Sequence, residues 1–234
     1  MPHSAPESST GGTTPRLTWT ALAGLVPERR IEGRNLSKAD VLLFRTAGGA
    51  VAVKDYGGRP FIARQLVGRL LVARECRAYE AAAGTPGLAP FLGRLGPFAL
   101  ATAWIEGTPL AERARGSVPG AVFDRLDALI AQLHARGVAL ADLHHRDVLV
   151  DDGALHVVDL AAAYVLGAHP GPLRRRLFRR LAAQDRLAAA RMRARFTGAS
   201  EDEALSSVDP EAVRLWGAGR RVKAAWDRLR GKRA

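Results

Sequence analysis

The most informative segment of the chain is Ala141-Asp142-Leu143-His144-His145-Arg146-Asp147-Val148-Leu149-Val150, which is followed by Val157-Val158-Asp159-Leu160. Three aspartates, Asp142, Asp147 and Asp159, stand at loop-like positions beside short apolar runs. Apolar runs of this length are typical of buried strands. Carboxylates at the ends of buried strands are costly unless they are paired or bind a metal. The pattern therefore predicts a site that holds Mg²⁺ and a nucleophile for phosphoryl transfer.

The composition limits the classes of protein to which the chain can belong. The chain has 234 residues, of which 47% are hydrophobic, so it can form one large domain or two small lobes and is not globally disordered. The single cysteine excludes an internal disulfide framework and a four-thiolate zinc site. No apolar run is long enough to span a bilayer, and the N-terminus does not resemble a signal peptide. We therefore expect a cytoplasmic protein.

The positive charge is concentrated near the C-terminus. The net charge is +12, and residues 174–234 contribute +10 of it. The segment 174–196 mixes leucines with many arginines, which predicts either an interfacial helix on an anionic membrane or a helix that turns its apolar face inward. Aromatic residues make up 6% of the chain, and no recognition-helix signature is present, so we expect no specific nucleic-acid partner.

Hydrophobic periodicity predicts the order of the secondary-structure elements. Residues 1–15 are polar and rich in small residues, which predicts a disordered tail. The first predicted elements are a hairpin over 41–46 and 50–54 and a helix over 61–83 with Leu66, Leu70 and Ala73 on one face. An apolar stretch over 98–105 and a helix over 123–136 follow, and this helix has Phe123, Leu126, Ile130 and Leu133 on one face. The last predicted elements are a hairpin over 148–150 and 155–158 and a helical region from Pro172 with a break near 197–210.

This order of elements resembles the protein-kinase-like fold. Lys54 ends a strand, Glu75 lies on the following helix, Glu106-Gly107 closes a later strand, and the aspartates come last. Within that class the chain is similar to the small atypical bacterial members, the RIO-type and lipopolysaccharide-core sugar kinases, over about residues 30–190. The resemblance implies an α+β, bilobal fold, with a small antiparallel-sheet N-lobe over 16–106 and a mainly helical C-lobe over 107–234.

The resemblance also implies roles for the residues that match its catalytic motifs. Lys54, in Val51-Ala52-Val53-Lys54, corresponds to the lysine that binds the nucleotide phosphates. Glu75 corresponds to the helix carboxylate that pairs with this lysine, with Glu80 as its rival. Asp142 corresponds to the aspartate that accepts the proton of the substrate hydroxyl.

Further residues match the metal and nucleotide contacts of the class. Asp147 and Asp159 correspond to the magnesium ligands. Ser37 and Lys38 lie where a loop covers the phosphates, although no G-x-G-x-x-G is present there. Ala103 and Ile105 lie in the segment whose backbone holds the adenine. Asp185, on the helix after Asp159, is predicted either to brace the catalytic loop or to form a salt bridge with a neighbouring arginine.

Two departures from the family pattern affect the interpretation. Leu140-Ala141 replace the usual His-Arg before the catalytic aspartate, and Leu160-Ala161 replace the usual Phe-Gly. His145-Arg146-Asp147 does spell the kinase tripeptide. If Asp147 were the base, however, the second metal ligand would be Asp152. Asp159 would then follow Asp152 after too few residues to form the intervening hairpin. Asp142 is therefore the preferred base.

The function that the resemblance implies is ATP-dependent phosphoryl transfer to a hydroxyl, with ATP and Mg²⁺ as cofactors. A serine/threonine protein kinase is the first interpretation. A lipopolysaccharide-core sugar kinase that acts on a membrane glycolipid is the alternative, and it would place the basic C-terminal helices against anionic lipid at the inner face of the membrane. The altered motifs leave a third interpretation, a pseudokinase or nucleotide-binding adaptor.

Overall fold

The computed structural model describes residues 16–33, 38–151, 153–206, 208 and 210. The predicted disordered tail, residues 1–15, and the predicted phosphate contact Ser37 lie outside the described residues. The strands are β1 (Arg29–Ile31), β2 (Asp40–Thr46), β3 (Gly49–Asp55), β4 (Phe91–Arg94), β5 (Ala99–Ala103), β6 (Thr108–Pro109), β7 (Val138–Ala139), β8 (Val148–Asp151), β9 (Ala154–Val157) and β10 (Tyr164–Val165). The helices are α1 (Phe61–Ala63), a π-helical segment (Arg64–Gly68), α2 (Arg69–Ala81), α3 (Gly120–Ala135), α4 (Pro172–Thr197) and α5 (Glu201–Leu205), with 3₁₀ turns at Trp19–Leu22 and Leu110–Glu112.

An antiparallel sheet of five strands, in the order β1-β2-β3-β5-β4, forms the N-terminal part of the molecule. Its two faces differ because successive side chains of a strand point in opposite directions. Val51 and Val53 pack in a cluster with Phe44 and Leu22 on one face. Lys54 occupies the next position of β3, opposite Leu100 of β5, and its side chain meets α2 on the other face. The predicted hairpin over 41–46 and 50–54 is thus confirmed as β2 and β3.

The predicted helix over 61–83 forms as α1, the π-helical segment and α2, but its predicted apolar face is wrong. Leu66 and Leu70 are exposed, at 68% and 62%. The buried face instead carries Val72, Cys76 and Tyr79, together with Glu75. The helix is oriented by the contact that Glu75 makes with the sheet, and Gly68 lies against the side chain of Tyr56. The leucines are consequently left on the solvent side.

The C-terminal part is built from α3 and α4 around a shared core. Phe123, Leu126, Ile130 and Leu133 are all buried, which confirms the predicted face of the second helix. The same core includes Tyr79 and Leu100 of the N-terminal part, so one hydrophobic cluster joins the two parts. The long helix α4 is apolar toward the core near Met192, whereas Leu177 near its start is exposed. Within the described residues, no helix is both long and apolar enough to cross a membrane.

Two short antiparallel pairings hold the aspartate-bearing segment. β8 pairs with β9 to form the predicted second hairpin, and β7 pairs with β10. The segment 140–147 therefore forms the connection between β7 and β8, and Asp159 is the second residue after β9. The backbone N–H of Val158 donates to the carbonyl of Asp147, at 3.1 Å, which brings the two ends of the hairpin together.

Candidate active site

Lys54 lies between two carboxylates at the centre of the site. Its Nζ is 2.5 Å from Oε1 of Glu75 and 2.9 Å from Oδ1 of Asp159. The Glu75 side chain is completely buried, and that of Lys54 is 14% exposed. The backbone N–H groups of Leu160 and Ala161 donate to Glu75 and Asp159, respectively, which fixes both carboxylates. Strand β3, helix α2 and the segment after β9 thus converge on one amine.

The charges of this triad are set by burial and by mutual attraction. Burial opposes the charge of Lys54, but the attraction of Glu75 and Asp159 is stronger and raises its pKa well above the usual range. Burial raises the pKa of Glu75, and the attraction of Lys54 offsets only part of that effect. Burial also disfavours the charge of Asp159, but Lys54 and the N–H of Ala161 together lower its pKa. Lys54 is therefore a permanent cation at the end of the sheet.

Glu80, the rival partner for Lys54, is excluded by position. It is exposed at the surface of α2 and lies 3.6 Å from Arg16. Tyr79, one residue earlier, is buried and stacks on Phe91 with 5.4 Å between ring centroids. Its hydroxyl donates to the carbonyl of Val158, next to Asp159, at 3.1 Å. Helix α2 is thus fixed to the strand end that carries Asp159 as well as to Lys54.

Asp147 is the aspartate whose charge is least compensated. Burial, followed by repulsion from Asp159, raises its pKa to about 6, against an opposing attraction from Lys54 and Lys38. Within the described part of the chain, no hydrogen bond to its side-chain oxygens is present. Asp147 and Asp159 are therefore two hard oxygen donors whose carboxylates interact electrostatically. This donor chemistry fits Mg²⁺, which commonly uses one or two carboxylates and takes its remaining ligands from phosphate and water.

The described residues do not contain a complete protein-built metal cage. Among residues 16–33, 38–151, 153–206, 208 and 210, no group of three or more His, Cys, Asp or Glu side chains is arranged to hold a metal ion. Asp147 and Asp159 would accordingly need oxygen ligands from outside the protein.

Asp142 lies on an exposed loop that Asp185 holds from behind. Ala141 has a φ of +65°, a left-handed conformation that is costly for a residue with a Cβ atom. Its N–H donates to Oδ1 of Asp185 at 2.8 Å, and the N–H of Leu140 donates to Oδ2, also at 2.8 Å. The Asp185 side chain is 1% exposed and also contacts Nε2 of His134 at 2.9 Å. The structure therefore shows that Asp185 braces the loop before Asp142, which is one of the two roles predicted for it.

His144 and His145, which follow Asp142, stack on each other with ring centroids 4.0 Å apart. The backbone carbonyls of both residues accept hydrogen bonds, from the N–H of Asp147 and of Ala111, respectively. Burial and, for His144, the nearby Arg146 lower the pKa values of the pair. The two rings pack within the loop that separates Asp142 from Asp147, and thus help to define its shape.

A pocket of about 270 Å³ opens beside Lys54 and Asp159. Its lining residues are Lys38, Ala39, Val41, Lys54, Tyr56, Leu71, Arg74, Asp159, Ala161 and Ala162. Lys38 is the predicted phosphate contact, and its charge acts on both Asp147 and Asp159. Arg74, which sequence reasoning did not assign to the site, donates to the carbonyl of Ala161. The sequence could have indicated that Arg74 belongs to the site, because Arg74 is next to Glu75 on the helix turn that faces the site.

The predicted adenine contacts lie at the end of β5 and in the segment that follows it. Neither Ala103 nor Ile105 belongs to its lining. The N–H of Ala103 donates to the carbonyl of Pro90 at 2.8 Å, and the N–H of Trp104 donates to the carbonyl of Ala50 at 2.9 Å. Ile105 is half-buried. The structure thus brings together Lys54, Glu75, Asp147, Asp159 and Lys38, and leaves Ala103 and Ile105 outside the group.

The architecture defines the class of the fold. The N-terminal part is an antiparallel sheet whose Lys54 pairs with Glu75 of a helix. The C-terminal part is helical and carries the aspartate loop and the second hairpin. This is the bilobal, α+β protein-kinase-like fold that the sequence predicts. The structure is similar to the PknI kinase domain of Mycobacterium tuberculosis, with a TM-score of 0.50 and 18% sequence identity over 76% of this chain and 75% of that chain. No family model and no curated protein sequence matches the chain. Similarity at this level establishes the fold, while function has to be argued from the site.

Proposed function

We propose that the chain is an ATP-dependent phosphotransferase that transfers a phosphoryl group to a hydroxyl. The observation that carries the proposal is the position of Lys54, which is held between Glu75 and Asp159 at the edge of a pocket. A buried lysine with two carboxylate neighbours is costly as a purely structural feature, because three charges must lose their hydration. Such an arrangement is useful where a fixed cation has to neutralise phosphate oxygens in the transition state.

Asp147 and Asp159 are the residues that we propose to hold Mg²⁺. When bound, the metal would supply positive charge next to the phosphate oxygens. Lys38, which lines the same pocket, would add a second cation, with Ser37 beside it in sequence. The backbone at Ala103 and Ile105, at the proposed boundary between lobes 16–106 and 107–234, remains our candidate for contact with the adenine ring.

Asp142 is the proposed acceptor of the hydroxyl proton. It is exposed, so a substrate can reach it, and its backbone position is fixed through the Asp185 contacts of Leu140 and Ala141. Its charge also acts on Asp147. A base of this kind orients the nucleophile, and correct orientation contributes a large part of the rate of phosphoryl transfer.

Two acceptor classes are candidates, and one observation separates them. The first is a serine or threonine hydroxyl of a protein, and the second is a sugar hydroxyl of a lipopolysaccharide-type glycolipid. Only residues 160–171 connect Asp159 to helix α4, so the connection has little length for a peptide-docking segment. This short connection favours the glycolipid, although the protein acceptor is the first interpretation of the sequence resemblance.

The test combines nucleotide binding with transfer. A thermal-shift titration with ATP and Mg²⁺ should raise the melting temperature of the wild type. Radiolabelled ATP should then transfer label to lysate protein or to purified membrane glycolipid, and Asp142→Ala should abolish the transfer while nucleotide binding is retained. The matched control is Asp151→Ala, an exposed aspartate at the end of β8. Stabilisation by nucleotide without transfer to either acceptor would select the nucleotide-binding adaptor instead.

A further inference from the structure

Two segments of the molecule expose large apolar side chains to an unusual extent. On α1, the π-helical segment and α2, the side chains of Phe61, Ile62, Leu66 and Leu70 are between 62% and 71% exposed. At the start of α4, Leu173 is 79% exposed and Leu177 is 44% exposed. Single exposed leucines are normal, whereas clusters on one segment mark interaction sites. We call these six residues and the arginines among them the basic apolar surface.

The stretches of these segments that carry the exposed apolar side chains contain arginine and no acidic residue. Residues 56–74 contain four arginines and residues 160–184 contain five, and neither stretch contains Asp or Glu. Arg59 is neutralised by Asp40. In the part of the chain that the structure describes, no carboxylate forms a salt bridge with the exposed arginines of these two stretches, which are Arg69, Arg174, Arg175, Arg176, Arg179 and Arg180. The surface therefore combines exposed aliphatic side chains with uncompensated positive charge.

Strand β10 lies between the two segments and connects them in space. Both α2 and α4 contact β10. From α2, Arg74 donates to the carbonyl of Ala161, shortly before β10. From α4, Arg174 donates to the hydroxyl of Tyr164 at 3.2 Å and to the carbonyl of Val165 at 3.1 Å. The two segments thus pack against the same strand and are neighbours in the structure.

We propose that the basic apolar surface docks the protein on an anionic lipid bilayer. Aliphatic side chains flanked by arginine are the combination with which interfacial helices enter the boundary between headgroups and acyl chains. Guanidinium groups bind lipid phosphates through paired hydrogen bonds, and each basic residue near an anionic membrane adds to the affinity. The positive charge of the surface favours a lipid bilayer as the partner, because lipid phosphates supply the negative charge that the protein itself lacks there.

Two other occupants fit the surface less well. A second copy of the chain would place uncompensated arginines against the same arginines, since a twofold interface brings identical patches together. A nucleic acid would satisfy the arginines, but it would leave the exposed leucines without an apolar partner. Docking on a bilayer satisfies both parts of the surface. It would also bring the segment after Asp159 toward the membrane, and the docking itself does not depend on the proposed phosphoryl transfer.

The experiment is co-sedimentation of the full chain with vesicles. We expect the wild type to sediment with vesicles of phosphatidylcholine that contain about 30 mol% phosphatidylglycerol, and not with pure phosphatidylcholine. Binding should fall strongly at about 0.5 M NaCl. We expect two variants of the surface to bind the anionic vesicles more weakly by about tenfold or more. They are Leu66→Ser/Leu70→Ser and Arg176→Gln/Arg179→Gln/Arg180→Gln.

Matched variants outside the surface supply the controls. Leu25→Ser/Val26→Ser removes exposed apolar side chains elsewhere, and Arg29→Gln/Arg115→Gln/Arg136→Gln removes the same amount of charge elsewhere. Both should bind vesicles within about twofold of the wild type, and Asp142→Ala should bind unchanged even if no transfer activity is ever found. Equal binding to neutral vesicles, no binding to anionic ones, or unchanged binding by the surface variants would overturn the proposal. So would a dimer in sedimentation velocity that the leucine substitutions dissociate.

Discussion

The N–H of Ala141 donates to the carboxylate of Asp185 at 2.8 Å, although 44 residues separate the two in the chain. Ala141 has a left-handed backbone, which an alanine adopts only when its surroundings impose it. Asp185 imposes it from the middle of α4, and the same carboxylate also holds Leu140 and His134. The conformation of the loop before Asp142 thus depends on a buried residue that contacts no predicted ligand.

Removal of this brace should destabilise the fold as well as the loop. Asp185→Ala leaves two backbone N–H groups and the ring of His134 without their partner, so we expect a loss of about 3 kcal/mol in the free energy of unfolding. Asp185→Asn keeps one acceptor oxygen and should lose less. Chemical denaturation measures both values, with the exposed Asp151→Ala as the control. A loss below about 1 kcal/mol for the alanine variant would contradict the role of Asp185 as a brace.

The contact between Lys54 and Glu75 should show strong coupling in a double-mutant cycle. Lys54→Met leaves Glu75 buried with no cation beside it, so we expect a loss of about 3 kcal/mol or more in the free energy of unfolding. In Lys54→Met/Glu75→Leu the orphaned carboxylate is also removed, and part of that stability should return. Neither variant should gain stability from ATP and Mg²⁺ if Lys54 binds the phosphates.

The cycle is completed by the single variant Glu75→Leu. If the loss in the double variant equalled the sum of the losses in the two single variants, the result would contradict the pairing. Arg45 and Glu28 form an exposed pair that is matched in charge and lies away from the site. The corresponding cycle on that pair should give only a small coupling, as exposed ion pairs generally do. The difference between the two cycles isolates the effect of burial.

Gly68 should not accept a side chain. A Cβ atom at this position would lie 2.9 Å from the Cβ of Tyr56, which is closer than two carbon atoms can approach. We expect Gly68→Ala to cost about 1–3 kcal/mol, because α2 or Tyr56 would have to move. Gly58, in the preceding turn, serves as the comparison, because a Cβ atom added there would meet no other atom within 4 Å.

The comparison variant, Gly58→Ala, should leave the melting temperature nearly unchanged. Since α2 also carries Glu75, the displacement caused by Gly68→Ala should in addition lower the affinity for ATP. Equal melting temperatures for the two variants would mean that the helix adjusts without cost, and that the close approach of Gly68 to Tyr56 is not required.

Asp147 should make the stability of the metal-free protein depend on pH. Its pKa is about 6 in the fold, above the ordinary value of 3.8. The folded state therefore keeps the proton to a higher pH than the unfolded state, so that this residue costs stability as the pH rises from about 4 to 6. Asp147→Asn removes the ionisation, and its stability relative to the wild type should rise over that interval by about 1–2 kcal/mol.

Urea denaturation in a buffer with chelator, at several pH values between about 4 and 7.5, measures this difference. The exposed Asp151→Asn controls for the general effect of removing a carboxylate. A difference that does not change with pH would show that burial does not perturb Asp147. The same substitution should weaken the dependence of nucleotide binding on Mg²⁺, because a carboxamide is a poorer ligand than a carboxylate.

Local sequence patterns determined the elements and much of the site. The hairpins follow from alternating apolar runs around turn residues, and the buried face of α3 follows from helical spacing, because both depend on neighbours in the chain. Lys54, Glu75 and Asp159 could be paired from the resemblance to the kinase-like fold, and the contacts between them agree with that pairing.

The tertiary structure alone decided which helix faces are buried and which groups support the site. Leu66 and Leu70 have the spacing of a buried face, yet they are exposed because the contact of Glu75 with Lys54 orients the helix. Sequence left the role of Asp185 open, since a brace acts between residues that are distant in the chain. Periodicity reports what a segment can bury, whereas packing against the rest of the molecule selects what it does bury.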